Sequence, residues 1–189
     1  ISLDGTQGEN GYHTSDVTVT LAATDNLSGV ARTEYSLDGT NWTTYTGPFA
    51  VATEGTTTVY CRSVDNAGNE ENPKQEVIKI DKVAPTIVST DPQNAENKVL
   101  VTKTIIITFS EGVQLGPDNG GITLTLTRGK GSPVDFTART EDNTLIIQPT
   151  ADLNYNSTYS VDIPAGVVKD MAGHLLASSY SFSFTTKDR

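Results

Sequence analysis

The sequence predicts an all-β fold made of two antiparallel β-sandwich domains in tandem. Apolar and polar residues alternate in short runs that recur about every ten residues, as in half-buried strands. Turn dipeptides separate the runs, and no window sustains the i, i+3, i+4, i+7 apolar spacing of an amphipathic helix. The 189 residues are enough for two modules. Modules of about 80 to 105 residues each would be large enough to bury their own cores.

The first predicted module covers residues 1–82. Apolar side chains at 17, 19 and 21 alternate with polar or small ones, which predicts a strand with one buried face. The run SLDGTNW predicts a hairpin, because Asp38-Gly39 suits a turn with positive φ. Two further strands are predicted over Thr56–Val64 and Glu76–Asp81. The intervening DNAGNEENP is rich in Asn, Gly and Pro, which interrupt a strand ladder.

The boundary between the modules is predicted at Asp81-Lys82-Val83-Ala84-Pro85. This stretch is short, follows a complete set of strands and carries a proline that stiffens the connection. The second module therefore covers residues 83–189. Its alternation is cleaner, and its predicted core is Ile105, Ile107, Phe109, Ile122, Leu124, Leu126, Leu145, Ile147, Tyr159, Val161, Ile163, Tyr180, Phe182 and Phe184.

The net charge of the chain limits the kinds of partner that it is expected to bind. Thirteen basic against twenty-three acidic residues give a net charge of −10, which repels phosphate backbones and anionic lipid headgroups. We therefore expect no nucleic-acid partner. No apolar run approaches the roughly 20 residues of a spanning helix, so no membrane insertion is expected either. Because no basic-then-apolar leader opens the chain, we interpret it as a segment of a longer, extracellular or cell-surface protein.

Two stretches carry a family resemblance. The run TSDVTVTLAATDNLSGVARTEYSLDGTNWTTYTGPF, followed by EGTTTVYCRSVDNAGNEE, resembles a bacterial Ig-like module of the type named after a leptospiral outer-membrane protein. APTIVSTDPQNA, IIITFSEGV and NSTYSVDIPAGVVKDMAGHLLASSYSFSFTT resemble the Ig-like domain of S-layer and other cell-surface proteins. The resemblance implies two immunoglobulin-like sandwiches that serve as structural spacer modules, with neighbouring domains of the same polypeptide as their partners. The alternative is an adhesin or carbohydrate-binding segment of a surface protein or extracellular glycoside hydrolase, which would bind cell-surface polysaccharide or protein.

Catalysis is not expected. A Ser or Cys nucleophile needs a nearby base, and the only histidines, His13 and His174, are both predicted to be solvated loop residues. The single cysteine, Cys61, is predicted to be a buried small hydrophobe, since a reactive thiol needs an exposed, electropositive setting. No phosphate-binding, dinucleotide-binding or metalloprotease motif is present, and no cofactor is required.

Calcium is the one cofactor hypothesis. In a sandwich of this type the B–C and F–G loops lie at one end, which would place TDNLSG (24–29) beside DNAGN (65–69). Oxygen-bearing side chains would then converge, as calcium requires. In the second module, SEGVQLGPDNGG (110–121) would meet VKDMAGH (168–174) near the linker. The candidate ligands are Asp25, Asn26, Asp65, Asn66, Asn69, Asp81, Glu111, Asp118 and Asp170.

Two structural explanations compete with these sites. Asp and Asn also occupy such loops simply to cap turns through bonds to backbone N–H groups. Exposed Trp42 and Tyr45 would suit a sugar ligand, but aromatic side chains beside a hairpin also cover the open side of a small sandwich. Both pairs of alternatives stay open from the sequence alone.

Overall fold

The computed structural model describes residues 1–127 and 131–189, which form two compact units, Ile1–Lys82 and Val83–Arg189. Strands and loops build both units. Among the described residues, the helical element is a 3-10 turn at Asn119–Gly121. No helix in this described part of the chain has the length and apolar character needed to cross a membrane.

The first unit is built from two facing sheets. One sheet has the strand order β1-β3-β6, and the other has the order β2-β8-β7-β4-β5. Neighbouring strands are antiparallel except β2 and β8, which run parallel. The strands are β1 (Ser2–Asp4), β2 (Tyr12–His13), β3 (Val17–Thr20), β4 (Val30–Ser36), β5 (Thr43–Thr44), β6 (Phe49–Val51), β7 (Gly55–Asp65) and β8 (Lys74–Ile80).

Alternation along the strands creates the core of the first unit. Val17 and Val19 on β3 are fully buried, while the threonines between and after them face solvent. On the opposite sheet, Val59 and Cys61 of β7 and Ile78 of β8 project into the same core. Apolar burial of this kind is the main stabilising contribution to a small sandwich, at about 25 cal/mol per Å² of apolar surface. The buried position predicted for Cys61 is confirmed.

The second unit contains two larger sheets and a small ribbon. The strand orders are β15-β16-β11-β9 and β10-β19-β17-β13-β14, with β12 and β18 paired separately. Its strands are β9 (Ile87–Asp91), β10 (Glu96–Val99), β11 (Ile105–Phe109), β12 (Gln114–Leu115), β13 (Thr123–Leu126), β14 (Ser132–Pro133), β15 (Phe136–Glu141), β16 (Thr144–Pro149), β17 (Thr158–Ile163), β18 (Val168–Lys169) and β19 (Tyr180–Thr186).

This strand order is that of an immunoglobulin-like sandwich. The first, second, fourth and fifth main strands, β9, β11, β15 and β16, share one sheet. Strands β13, β17 and β19 share the other, which reproduces the ABED and CFG division of the fold. The prediction of an all-β fold with immunoglobulin-like antiparallel sandwiches is therefore confirmed.

The predicted core of the second unit is also confirmed in its main features. Its members are buried except for Leu126 and Tyr180, which are partly buried and pack against the core from its margin. Tyr159 of β17 stacks on Phe184, its cross-strand neighbour in β19, with the ring centroids 5.7 Å apart, so aromatic as well as aliphatic side chains fill the core from this sheet.

The hairpin predicted at SLDGTNW joins β4 to β5. Tyr35 pairs with Thr43 across the hairpin, and Gly39 has a φ of 74° in the turn. The hydroxyl of Ser36 donates a 2.8 Å hydrogen bond to the Asp38 carboxylate, which in turn accepts backbone N–H groups that follow it. Glycine at the fourth residue of this run is therefore a requirement of the turn.

Both histidine predictions are wrong. His13 lies in β2 and is only 5% exposed, because β2 pairs with β8 and turns the ring inward. The side chain of His174 is 23% exposed and its Nδ1 lies 2.9 Å from Oδ2 of Asp170. Neither ring is a freely solvated loop side chain, because strand pairing places His13 and the Asp170 carboxylate of the same loop holds His174.

Candidate functional site

The two end loops of the first unit lie side by side. The backbone N–H of Asn66, just after β7, donates a 2.9 Å hydrogen bond to the carbonyl of Gly29, just before β4. The side-chain amide of Asn66 donates a second bond, of 2.7 Å, to the carbonyl of Ser28. Asn66 of the loop 65–69 therefore binds two backbone carbonyls of the loop 24–29 and holds the two loops together.

Asp25 caps the first of these loops. Its Oδ2 accepts backbone N–H groups from Leu27 at 3.1 Å, from Ser28 at 2.7 Å and from Gly29 at 2.7 Å. The bond from Gly29 is the largest cause holding the pKa of the Asp25 carboxyl below its ordinary value of 3.8. One carboxylate oxygen thus already has a full set of donors.

Asp65 caps the second loop in the same way. Its Oδ1 accepts the backbone N–H groups of Ala67 at 2.9 Å and Asn69 at 2.8 Å, and its Oδ2 accepts the side-chain amide of Asn69 at 2.7 Å. These bonds, led by the Asn69 side chain, lower the pKa of Asp65. The amides of Asn66 and Asn69 therefore act as hydrogen-bond donors in this loop pair, while Asn26 is exposed at the tip.

The two end loops of the second unit pair as a short ribbon. In β12, Gln114 lies opposite Lys169 of β18, and Leu115 lies opposite Val168. The N–H of Gly116 then donates a 2.9 Å bond to the carbonyl of Val167. A Cβ at Gly116 would overlap the carbonyl oxygen of Gly166, so this close backbone approach requires glycine.

Asp170 is the buried polar centre of this ribbon. Its side chain has no exposed surface, and Oδ1 accepts the backbone N–H groups of Gly173 at 2.7 Å and His174 at 2.9 Å. Oδ2 faces the ring of His174 at 2.9 Å. A buried carboxylate satisfied by two backbone donors and one side chain organises the turn, because leaving those donors unpaired would be costly.

The remaining predicted ligands are Asp118, Glu111 and Asp81. Asp118 is exposed beside Gly166, and its carbonyl accepts the N–H of Gly121 at 2.9 Å. Glu111 is partly buried just after β11. Asp81 directly follows β8 in the first unit, where its N–H donates a 2.9 Å bond to the carbonyl of His13.

The geometry within each unit favours turn capping over metal binding. Among residues 1–127 and 131–189, no three His, Cys, Asp or Glu side chains of the same unit place ligand atoms within 4.8 Å of one another. The best-placed carboxylates, Asp25 and Asp65, are already engaged by N–H donors. Calcium binding stays a prediction for these loops.

The two aromatic candidates differ in accessibility. Tyr45 packs against the core of the first unit, with its ring edge-on to Phe49 at a centroid distance of 6.5 Å. Trp42 is half-buried, and the guanidinium of Arg62 lies 4.1 Å from the centroid of its ring. One face of Trp42 therefore contacts a cation, and the ring of Tyr45 contributes to packing.

Sequence reasoning missed the charged network behind Trp42. Arg62 of β7 donates a 2.9 Å bond to Glu34 of β4 and also pairs with Glu70. Glu34 accepts a further bond from Arg32, and these two arginines hold the pKa of Glu34 below its ordinary value. Glu34 and Arg62 lie directly opposite in the antiparallel ladder. The sequence does place opposite charges at outward-facing strand positions. Which of these charges face each other can be predicted only when the strand register is known.

A family match covers the second unit of the chain. The model of a family described as a bacterial Ig-like domain matches residues 81–186, which is more than half of the chain. The chain belongs to the bacterial Ig-like domain family. The match covers the sheets and the end-loop ribbon of the second unit, so Asp170 and Gly116 lie within the matched range. No curated protein matches the chain in sequence.

Three solved structures show a distant likeness to this bacterial Ig-like chain. The N-terminal part of the bacterial S-layer protein SbsC is 18% identical with a TM-score of 0.40, covering 56% of this chain and 24% of its own. The D00-D0 domain of Intimin is 15% identical with a TM-score of 0.43, covering 99% of both chains. Fibronectin(III)-like modules of Clostridium thermocellum CbhA are 14% identical with a TM-score of 0.32, covering 99% of this chain and 94% of theirs. The chain therefore spans about a quarter of the S-layer structure's length.

Proposed function

We propose that the chain is a pair of non-catalytic spacer modules in a secreted or cell-surface prokaryotic protein, where they position neighbouring domains of the same polypeptide. The observation that carries this proposal is that each of the two units encloses its own hydrophobic core. A self-contained module can resist unfolding without a ligand or a crosslink, and modules of this kind can be joined end to end.

The short connection between the units supports a spacer role. At the end of the first unit, the ammonium of Lys82 donates bonds of 2.8 Å to Asp16 and 2.9 Å to the carbonyl of Ala52. The bond to Asp16 raises the pKa of Lys82. At the start of the second unit, Thr86 and Ser110 exchange hydrogen bonds of 3.0 and 2.9 Å. Only residues 83–85 separate Lys82 from Thr86, so the connection between the units can lengthen little under tension.

The finer assignments belong to the same proposal. We infer that the first unit is of the leptospiral outer-membrane-protein type and the second of the S-layer type, on the sequence stretches that carry those resemblances. An acidic, cysteine-poor pair of sandwiches suits an extracellular surface, since its stability comes from packing and its net charge of −10 favours solubility.

Segment replacement in the parent polypeptide tests the spacer function. Exchanging residues 1–189 for an unrelated pair of sandwich modules of similar length should preserve the binding or catalytic activity of the flanking domains. Deleting the segment should reduce that activity, because the flanking domains lose their separation. If the exchange is as damaging as the deletion, the surface of these modules has a specific role and the spacer proposal is wrong.

The alternative proposal is an adhesin or carbohydrate-binding segment that uses Trp42 and Tyr45. The half-exposed ring of Trp42 supports it, while the packing of Tyr45 on Phe49 and the stacking of Arg62 on Trp42 favour a structural role. A glycan array probed with the wild-type chain and with Trp42→Ala separates the two. We expect no difference between them, and glycan binding that is lost in the variant would establish the alternative.

A further inference from the structure

The sequence contains two Asn-Gly pairs, Asn10-Gly11 and Asn119-Gly120. In such a pair the backbone nitrogen of the second residue can approach the side-chain carbonyl carbon of the asparagine closely, because glycine has no Cβ that obstructs the approach. Both asparagines are exposed to solvent. The two pairs therefore share a reactive sequence, but they lie in different local structures.

Asn10 and Gly11 form the tip of a tight turn in the first unit. Their φ angles are 52° and 76°, and the N–H of Tyr12 donates a 2.9 Å hydrogen bond to the carbonyl of Glu9, as in a turn of type I′. The N–H of Gly8 donates a further bond, of 2.8 Å, to the carbonyl of Tyr12. A Cβ at Gly11 would meet nothing within 4 Å, so the turn leaves space for a ring to form at this pair.

Asn119 and Gly120 lie in the 3-10 turn of the second unit. Nδ2 of Asn119 donates a 2.6 Å bond to the carbonyl of Gly116, and the N–H of Gly121 donates a 2.9 Å bond to the carbonyl of Asp118. Attack on the Asn119 side chain requires the 2.6 Å bond to break, because the nitrogen that must leave is the one that donates it. This second pair is therefore restrained against the same reaction.

The turn at Asn10 leads directly into β2. The two residues of β2 pair in parallel with the last two residues of β8. His13 of β2 is buried, and its carbonyl accepts a 2.9 Å bond from the N–H of Asp81, just after β8. The placement of β2 beside β8 therefore depends on the length of the backbone in the turn.

We propose that Asn10 is a site of spontaneous deamidation and that its main product releases β2 from β8. Hydroxide removes the proton of the Gly11 N–H, and the nitrogen attacks Cγ of Asn10. The N–Cγ bond forms, the Cγ–Nδ2 bond breaks, and the leaving nitrogen takes a proton from water and departs as ammonia. Water then opens the cyclic imide. Opening at the main-chain carbonyl gives isoaspartate, whose backbone runs through Cβ and Cγ, and opening at Cγ gives aspartate.

Isoaspartate in place of Asn10 adds one atom to the backbone between Glu9 and Tyr12. The N–H of Tyr12 then no longer meets the carbonyl of Glu9 in the same turn, and the bond between Asp81 and His13 opens more often. Because the ammonia diffuses away, the change is irreversible and accumulates with the age of the protein. The first unit thus carries a slow chemical timer on the pairing of its last strand, whether or not the chain serves as a spacer.

Ageing of the whole chain at mildly alkaline pH tests the proposal. Peptide mapping by mass spectrometry follows the conversion of each asparagine and separates isoaspartate from aspartate. We expect Asn10 to convert about tenfold or more faster than Asn119, whose turn must open first, with isoaspartate as the main product. The matched control is Asn10→Gly, which has no side-chain amide and accepts the positive φ of the turn.

Amide hydrogen exchange measures the effect on β2. Exchange at Asp81 should speed up about tenfold in the aged wild-type chain and stay unchanged in aged Asn10→Gly, while the core amide of Val59 stays protected in both. Conversion of Asn10 no faster than that of Asn119 would overturn the proposed site. Unchanged exchange at Asp81 in converted protein would overturn the release of β2, and so would an equal loss of protection at Val59, which indicates unfolding of the whole unit.

Discussion

The two units differ in the size of their buried cores and in the contacts that hold their end loops. Within the described residues, the buried core of the first unit comprises eight side chains, whereas that of the second comprises nineteen. The end loops of the first unit are capped by the carboxylates of Asp25, which is exposed, and of Asp65, which is partly buried. Those of the second unit are held by the buried Asp170 and by the glycine contact at Gly116. We infer that the first unit is less stable and more sensitive to solution conditions.

The largest expected effect comes from truncating each core. Phe184→Ala in the second unit should lower its free energy of unfolding by about 3–5 kcal/mol, and Ile78→Ala in the first by about 2–5 kcal/mol. Both side chains are 1% exposed. Calorimetry of the whole chain should show each substitution lowering a different transition, with the first unit losing the larger fraction of its stability. A single transition that both substitutions lower equally would remove the distinction between the units.

A smaller effect is expected at the glycine contact of the second unit. Gly116→Ala forces its new Cβ against the carbonyl of Gly166, which should cost about 1–3 kcal/mol of stability. Gly120→Ala is the matched control, because a Cβ at Gly120 meets nothing within 4 Å. Chemical denaturation should separate the two variants. Equal midpoints for Gly116→Ala, Gly120→Ala and wild type would show that the ribbon does not depend on this close approach.

Acidification should lower the stability of the first unit. Hydrogen bonds lower the pKa of Asp25, Asp38 and Asp65 in the folded state. At pH values above the ordinary pKa of 3.8, these carboxylates therefore stabilise the first unit. That stabilisation is lost as the pH falls through the lowered folded-state values. The melting temperature of the first unit should therefore drop between about pH 5 and pH 1. Asp25→Asn and Asp65→Asn should flatten the drop, and a drop unchanged in both variants would assign the effect to other groups.

The smallest expected effect is that of calcium. Because Asp25 and Asp65 already accept several N–H groups, thermal melts in calcium and in chelator should coincide for the first unit. A melting temperature that rises with calcium concentration would instead support the metal site predicted from the sequence. In that case Asp25→Asn should abolish the rise.

The sequence predicted burial best in strands that have one face in the core and the other in solvent. Alternation correctly located Val17, Ile107 and Phe182, because a period of two in a half-buried strand leaves little choice of face. It was uninformative for Val167 and Val168, which are adjacent and both fully buried. Val168 begins β18, and both valines belong to the core of the second unit, so the period of two does not hold where the ribbon starts.

The end loops were predictable in position but not in chemistry. Topology alone brings the loop of Asp25 to that of Asp65, since strand order decides which loops share an end. The direction of each carboxylate depends on the turn geometry at Gly29 and Asn69, which residue spacing does not specify. For the same reason the burial of His13 escaped prediction, because it follows from a two-residue parallel pairing with β8.

Mechanical unfolding of single molecules tests the central claim, that residues 1–189 are two self-contained modules in tandem. Pulling on the two ends should give two separate unfolding events. At about 3.6 Å per residue, Ile1–Lys82 would extend to about 300 Å and Val83–Arg189 to about 390 Å, before the folded lengths are subtracted. The first unit, with the smaller core, should yield first. One event that releases the whole chain would contradict two independent modules, and extension without resistance would contradict a spacer that keeps its length under force.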